Sequence, residues 1–327
     1  MEEQKRLIEI IRSKIPNHIR LTDVLEELLD ISNDTAYKRI NAERDFSFSE
    51  LIKVCRKYNV SLDEIVHKKS NQGALFHYDP IIISDQESCI NYLQQLLDNL
   101  LSLKSSSDKE IICISQVIPF YLFVKYPDLT FFTLYAWNEN LDYNSFSFEK
   151  FDSSLNKVKF LSIFEQIFNT QMYIPLTEIW SLQSIDTTLK LIEYYFEIGA
   201  FENKKTPLNL LVQLLHLLDM IKQYASAGYK DSTGKVPFAQ YVCSVDLGNS
   251  LMLLRYENRL SCTLRLISIN SISTENEFLC SDIQKWINDL ISKSIPISGK
   301  SSEKERYKFY KAAETKINLL AEKIKSS

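Results

Sequence analysis

Few side chains in this sequence have the type and spacing that covalent chemistry needs. Of the four histidines, His18, His67, His77 and His216, none pairs at a metal-binding spacing, and His216 falls in a leucine-rich run where a core position is expected. The six cysteines, at 55, 89, 113, 243, 262 and 280, form no C-x-x-C pair and have no histidine near them, so they read as buried, reduced thiols. Gly299-Lys300-Ser301 ends like a phosphate-binding loop, but no glycine precedes it at the spacing of that loop and no buried strand leads in. No Ser-His-Asp or G-x-S-x-G pattern occurs, and six glycines leave little room for a glycine-rich nucleotide loop. The expectation is a chain with no catalytic residue, no cofactor and no bound metal. One stretch, residues 31–41, does carry recognition chemistry at helical spacing. Ser32 is a good N-cap, Ala36 and Ile40 form an apolar underside, and Asn33, Asp34, Tyr37, Lys38 and Asn41 face outward. An amide pairs in a bidentate way with adenine, and an ammonium reaches guanine acceptors. The same window also fits an ordinary surface helix, so the elements around it have to decide.

Those elements come in a fixed order. Residues 3–15 carry Leu7, Ile8, Ile10, Ile11 and Ile15 at helical spacing and end at Pro16-Asn17. Residues 20–30 follow, with Thr22 as N-cap and Leu25, Leu28 and Leu29 on one stripe. A brief turn at Asp30-Ile31-Ser32 leads into the 31–41 helix, and a polar loop, Ala42 to Asp45, leaves it. Residues 47–58 read as a fourth helix. Residues 60–66 read as a short fifth, with Ser61 as cap and Glu64 at the capping-box position.

This order resembles the Cro/repressor-type (Xre-like) helix-turn-helix family. The resemblance rests on Leu25, Leu29, Ile31-Ser32, Thr35-Ala36, Ile40-Asn41, the fourth helix and the closing Asn59-Val60-Ser61-Leu62-Asp63-Glu64-Ile65, and it covers the first fifth of the chain. It implies that Asn33, Asp34 and Lys38 meet base edges and that Thr22 lies near a phosphate with Tyr37 and Asn41 close by. Two positions depart from the family pattern. Glu26 stands where a small alanine is usual, and must either reach solvent or widen the helix crossing. Asp30 stands where the turn glycine is usual, a milder change because Asp tolerates left-handed backbone. The residues expected at DNA are Thr22, Ser32, Asn33, Asp34, Thr35, Tyr37, Lys38, Asn41 and Arg44.

The rest of the chain sets the organisation. Length predicts two domains: a helix-turn-helix domain over 1–69, a linker over 70–80 and an α/β regulatory, sensor or dimerisation domain over 81–327. The fold class expected is α+β, mostly helical. Formal net charge is -4; residues 1–69 hold 13 Lys and Arg against 13 Asp and Glu, so the acidic excess lies beyond them, 25 against 29. Bulk charge therefore gives no support for nucleic acid, and any basic face must be local. No run is long and apolar enough for a membrane span, and the charged N-terminus has no signal-peptide pattern, so a cytoplasmic location is expected.

Beyond residue 80 the pattern predicts a helix over 84–103 whose Ile90, Leu93, Leu97, Leu100 and Leu101 suit either a dimer seam or packing within its own domain. It predicts a strand over 110–115, a short helix over 117–124 and a second strand over 129–137, an arrangement that allows parallel pairing. Residues 148–227 read as helical, in segments 155–169, 184–200 and 206–226. The last has Thr206-Pro207 as its start, Gly228 past its end and leucines round most of its circumference. Strands over 236–246, 250–257 and 260–269 read as an antiparallel meander, and helices over 276–292 and 302–325 close the chain. Aromatic clusters in 120–137 and 173–201 suit either core packing or a pocket for a small effector. The functional expectation is a sequence-specific, dimeric DNA-binding transcriptional regulator with double-stranded DNA as partner and a small-molecule or protein effector. The alternatives are a protein-interaction module that no longer binds DNA and a degenerate phospholipase-D-like sensor domain tethered to DNA.

Overall fold

The structure is a computed structural model and describes residues 2–16, 19–62, 65, 73–78, 80–82, 85–138, 146–245, 247–267 and 270–327. They fall into two compact units, Met1–Leu75 and Phe76–Ser327, and the fold class is α+β, mostly helical.

The first unit contains α1 (Glu2–Ser13), α2 (Leu21–Leu29), α3 (Asn33–Ile40) and α4 (Phe48–Tyr58). The apolar stripes meet in one core: Leu7, Ile8 and Ile11 from α1, Leu25 and Leu29 from α2, Ala36 and Ile40 from α3, and Val54 from α4. Asp30 ends α2 in the left-handed region (φ 54°, ψ 52°), doing what the expected glycine would do. Ser47 and Glu50 close a capping box at the start of α4. The expected Thr22 cap does not form. Helix α2 begins two residues earlier, at Leu21 behind Arg20, so Thr22 lies inside the first turn and its hydroxyl donates to Asp23. The expected fifth helix, with its Ser61 and Glu64 cap, and the boundary at Lys69 rest largely on 63–64 and 66–72, outside the described residues.

The second unit is built on one eight-stranded sheet: β1 (His77–Tyr78), β2 (Glu110–Ser115), β3 (Leu176–Ser181), β4 (Phe238–Cys243), β5 (Leu251–Tyr256), β6 (Arg259–Ile267), β7 (Asn270–Thr274) and β8 (Ile295–Pro296). Its spatial order is β1-β7-β6-β5-β2-β3-β4-β8. Strands β2, β3 and β4 run parallel and the other pairings are antiparallel. Residues 77–78, expected as linker, are thus a sheet edge. Among the described residues nine helices accompany the sheet: α5 (Gln86–Ser105), α6 (Phe120–Phe123), α7 (Pro127–Ala136), α8 (Phe148–Ser154), α9 (Lys157–Gln171), α10 (Asp186–Glu197), α11 (Lys205–Ala227) and α13 (Glu303–Ser326) on one face, and α12 (Glu277–Ser292) on the opposite face.

Several expectations change here. Residues 129–137 are not a strand: 129–136 lie in α7 and Trp137 is its C-cap. Every side chain from Leu129 to Tyr135 is buried, and a continuous apolar run fits a fully buried helix as well as a strand. The parallel partner of β2 is instead β3, inside the stretch read as helical. Strand β4 pairs with β3 and β8, so the meander consists of β5, β6 and β7. Helix α11 starts before Thr206: Asn203 accepts from the amides of Lys205 and Thr206, and the Thr206 hydroxyl goes to Glu149. Gly228 ends that helix with φ 78°. His216 is exposed on a stripe with Val212 and Asp219, not in the core. Leu93, Leu97 and Leu100 of α5 are buried within their own unit, which leaves no leucine seam for a coiled coil. The aromatic clusters are largely core, with Phe131, Phe132, Tyr135 and Trp180 fully enclosed. The six cysteines are free thiols, buried except for the half-buried Cys55.

Candidate nucleic-acid interface

Helix α3 is short because its sequence starts and stops it. The Ser32 hydroxyl accepts the Thr35 amide at 3.4 Å, and the chain leaves at Asn41 and Ala42, the latter with φ 56°. Ala36 and Ile40 anchor the underside. The opposite side is open to solvent: Ser32, Asn33, Asp34, Tyr37, Lys38 and Asn41 are exposed, with Tyr37 showing 55% of its surface. Thr22 and Thr35 are half-buried and Arg44 is exposed. All nine expected residues therefore lie at or near the surface of one unit, and six of them share the outer face or cap of α3.

Local pairing tempers their charge. Lys38 Nζ donates to Asp34 Oδ2 at 2.7 Å, one turn back on the same helix. Asn33 Nδ2 donates to Glu26 Oε2 at 3.0 Å, across the turn from α2. Glu26 is exposed, so of the two outcomes open to it, reaching solvent is the one that occurs.

Behind this face sits a clamp that sequence reading missed. Arg39 is buried, and its Nη2 donates to both carboxylate oxygens of Glu50, at 3.1 and 2.9 Å. The Glu50 carboxylate also accepts the Ser47 amide at 2.6 Å. Burial raises the Glu50 pKa, but the Ser47 hydrogen bonds and Arg39 outweigh it and hold the carboxyl below its ordinary range. Gln4 of α1 donates to the carbonyls of Arg39 and Arg44 and accepts the Phe46 amide, so the loop that carries Arg44 is tied to α1. The only local signal is the S-x-x-E spacing of Ser47 and Glu50; nothing in the sequence around Arg39 marks it as their partner.

No protein-family model, curated protein or solved structure matches this chain.

The second unit offers a different arrangement. Cys113, Glu178 and Gln240 stand side by side on the parallel strands and are all buried. The Glu178 carboxylate accepts from Tyr121 and from Trp180 Nε1 (2.8 Å), and Gln240 Oε1 accepts from Tyr310 at 2.6 Å. Burial pushes Glu178 up to about 7, against the hydrogen bonds of Tyr121 and Trp180 and the charge of Lys230. Burial likewise lowers Lys230, to about 7, against Glu178 and Cys113. This cluster is sealed under helices. An open groove of about 220 Å³ lies nearby, lined by Leu182, Val242, Ile297, Phe309 and Ala313. That volume is below the range of pockets that enclose drug-sized ligands. Among the described residues, no three His, Cys, Asp or Glu side chains gather to hold a metal ion, and no helix is long and apolar enough to cross a membrane.

Proposed function

We propose that this chain is a sequence-specific DNA-binding transcriptional regulator in which α3 reads base edges. The observation that carries the reading is a capped, eight-residue helix anchored by Ala36 and Ile40 that turns Asn33, Tyr37, Lys38 and Asn41 outward on one face. In this reading Asn33 and Lys38 contact bases, Arg44 contacts the backbone, and Thr22 and Asn41 flank them near phosphate. The protein acts in the cytoplasm and binds as a homodimer, because one helix reads too few base pairs alone. The second unit supplies dimerisation or effector response.

The test is competition between a preferred site and scrambled DNA. Asn33→Ala and Lys38→Ala should each cost about 1–3 kcal/mol at the preferred site and relax preference there. Arg44→Ala should weaken all sequences alike and lower the salt slope by about one unit. If both helix variants keep the wild-type specificity ratio with the fold intact, α3 is not the reading helix.

One observation favours a second reading, a protein-interaction module. The Lys38 ammonium and the Asn33 amide are both engaged by carboxylates, which suits a mixed-charge protein partner. Affinity for DNA that stays flat from low to physiological salt would select this second reading.

A further inference from the structure

We propose that Glu26 is a specificity-determining residue of the same interface, acting as a positioning residue for Asn33. The inference rests on the DNA-binding reading above.

A side-chain amide has one acceptor oxygen and two donor hydrogens, and it turns over easily when nothing tells its ends apart. A carboxylate only accepts. The 3.0 Å contact between Asn33 and Glu26 therefore assigns the nitrogen end of Asn33 to Glu26 on chemical grounds. One N–H is then spent on the protein, and one N–H and the carbonyl oxygen remain for a partner. That donor and acceptor are the complement of adenine, which offers the N7 acceptor and the N6 donor in the major groove. Guanine offers two acceptors, N7 and O6, and would set O6 against the Asn33 oxygen with the Glu26 carboxylate close behind. Glu26 thus favours adenine by fixing the amide and disfavours guanine by adding a second acceptor.

The placement of Glu26 fits this role. It lies on α2 seven residues before Asn33, across the Asp30 turn, and is exposed, so it fills no core space. Val24, Leu25 and Leu28, its neighbours on α2, are half-buried or buried, so the core is held without it.

The experiment uses the full chain. A preferred site is selected from random DNA, and the base pair at which Asn33→Ala relaxes preference is identified. At that pair, adenine-over-guanine ratios are measured by competition for the wild type, Glu26→Gln and Glu26→Ala, and for Glu26→Gln in an Asn33→Ala background. Glutamine keeps the size of Glu26 but both donates and accepts, so it no longer assigns the amide. The expected result is a fall of about tenfold in the ratio for both single variants. Other positions, and the melting temperature, should be unchanged, and Glu26→Gln should have no further effect without Asn33. A merely structural role would move melting or all positions together. The proposal is overturned if Glu26→Gln keeps the wild-type ratio while Asn33→Ala relaxes it, or if guanine is the base preferred there. Absence of any salt-sensitive sequence preference in the wild type would overturn the DNA-binding reading itself, a result distinct from the other two.

Discussion

In Met1–Leu75 the polar side chains of interest point outward from α3, and two of them, Lys38 and Asn33, are paired with a carboxylate one turn or one helix away. In Phe76–Ser327 the polar cluster of Cys113, Tyr121, Glu178, Gln240 and Tyr310 lies inside the core, across three parallel strands and two helices. The difference is one of solvent. Exposed pairs compete with water and contribute little to stability, so their residues are available for a partner. Buried polar groups have no water to fall back on, so they depend on specific protein partners, as the Glu178 carboxylate and Gln240 Oε1 do, although Gln240 Nε2 is buried without one. Arg39 belongs to the second kind although it sits in the first unit: with the half-buried Glu50 it holds α3 and α4 together beneath the exposed face.

The largest expected effect breaks that boundary. Arg39→Ala should cost about 1.5–3 kcal/mol, because it removes a bidentate charged hydrogen bond from the half-buried Glu50 carboxylate, which keeps the Ser47 amide. Hydrogen exchange of the α3 and α4 amides in the full chain reads it. A cost under about 1 kcal/mol would mean that the Arg39–Glu50 pair behaves like a surface pair. Tyr310→Phe should cost about 1–3 kcal/mol in the second unit by leaving the Gln240 oxygen unpaired. Trp137, Trp180 and Trp286 all lie in that unit, so tryptophan fluorescence follows its unfolding in urea. An unchanged urea midpoint would remove Gln240 from the account.

The pH dependence comes next. Burial places the folded pKa of Glu178 at about 7, above the ordinary 4.5. Below about pH 4.5 both folded and unfolded chains carry the proton, and this contribution to stability is fully present. As pH rises toward 7 the unfolded chain releases its proton first, and the contribution is lost. Tyr121, Cys113 and Lys230 face the same carboxyl. Glu178→Gln should therefore flatten the fluorescence-detected stability between pH 4.5 and 7; an unaltered slope would remove Glu178 as its source. The smallest effect belongs to the outer face. Asp34→Ala removes an exposed i,i+4 pair and should shift stability by less than about 0.5 kcal/mol.

What could be read from the sequence divides along the same line. Helix α3 was legible because its signals are local: a serine cap, an apolar pair four apart and polar residues on the remaining face. Asp30 was legible too, since one residue type and one turn decide it. Strand β3 was not. Leu176-Thr177-Glu178-Ile179-Trp180-Ser181 carries a glutamate at its centre, and that glutamate is tolerated only because Tyr121 and Trp180 donate to it and Lys230 lies near. Tyr121 and Lys230 come from elsewhere in the chain, and no window around residue 178 contains them. Helix α7 was read as a strand because full burial erases the period that separates the two structures. In the candidate site, outward-facing residues follow from helical spacing. The Glu26–Asn33 bond and the Arg39–Glu50 clamp do not, because each joins two elements whose packing only the fold supplies.

The central claim is that the outer face of α3 reads DNA. Selection from a random pool of double-stranded DNA with the purified full chain tests it most directly. The account predicts enrichment of an inverted repeat, one half-site per α3 of a dimer, with affinity that falls steeply as salt rises. A pool that shows no enriched sequence, together with affinity that does not change with salt, would contradict it.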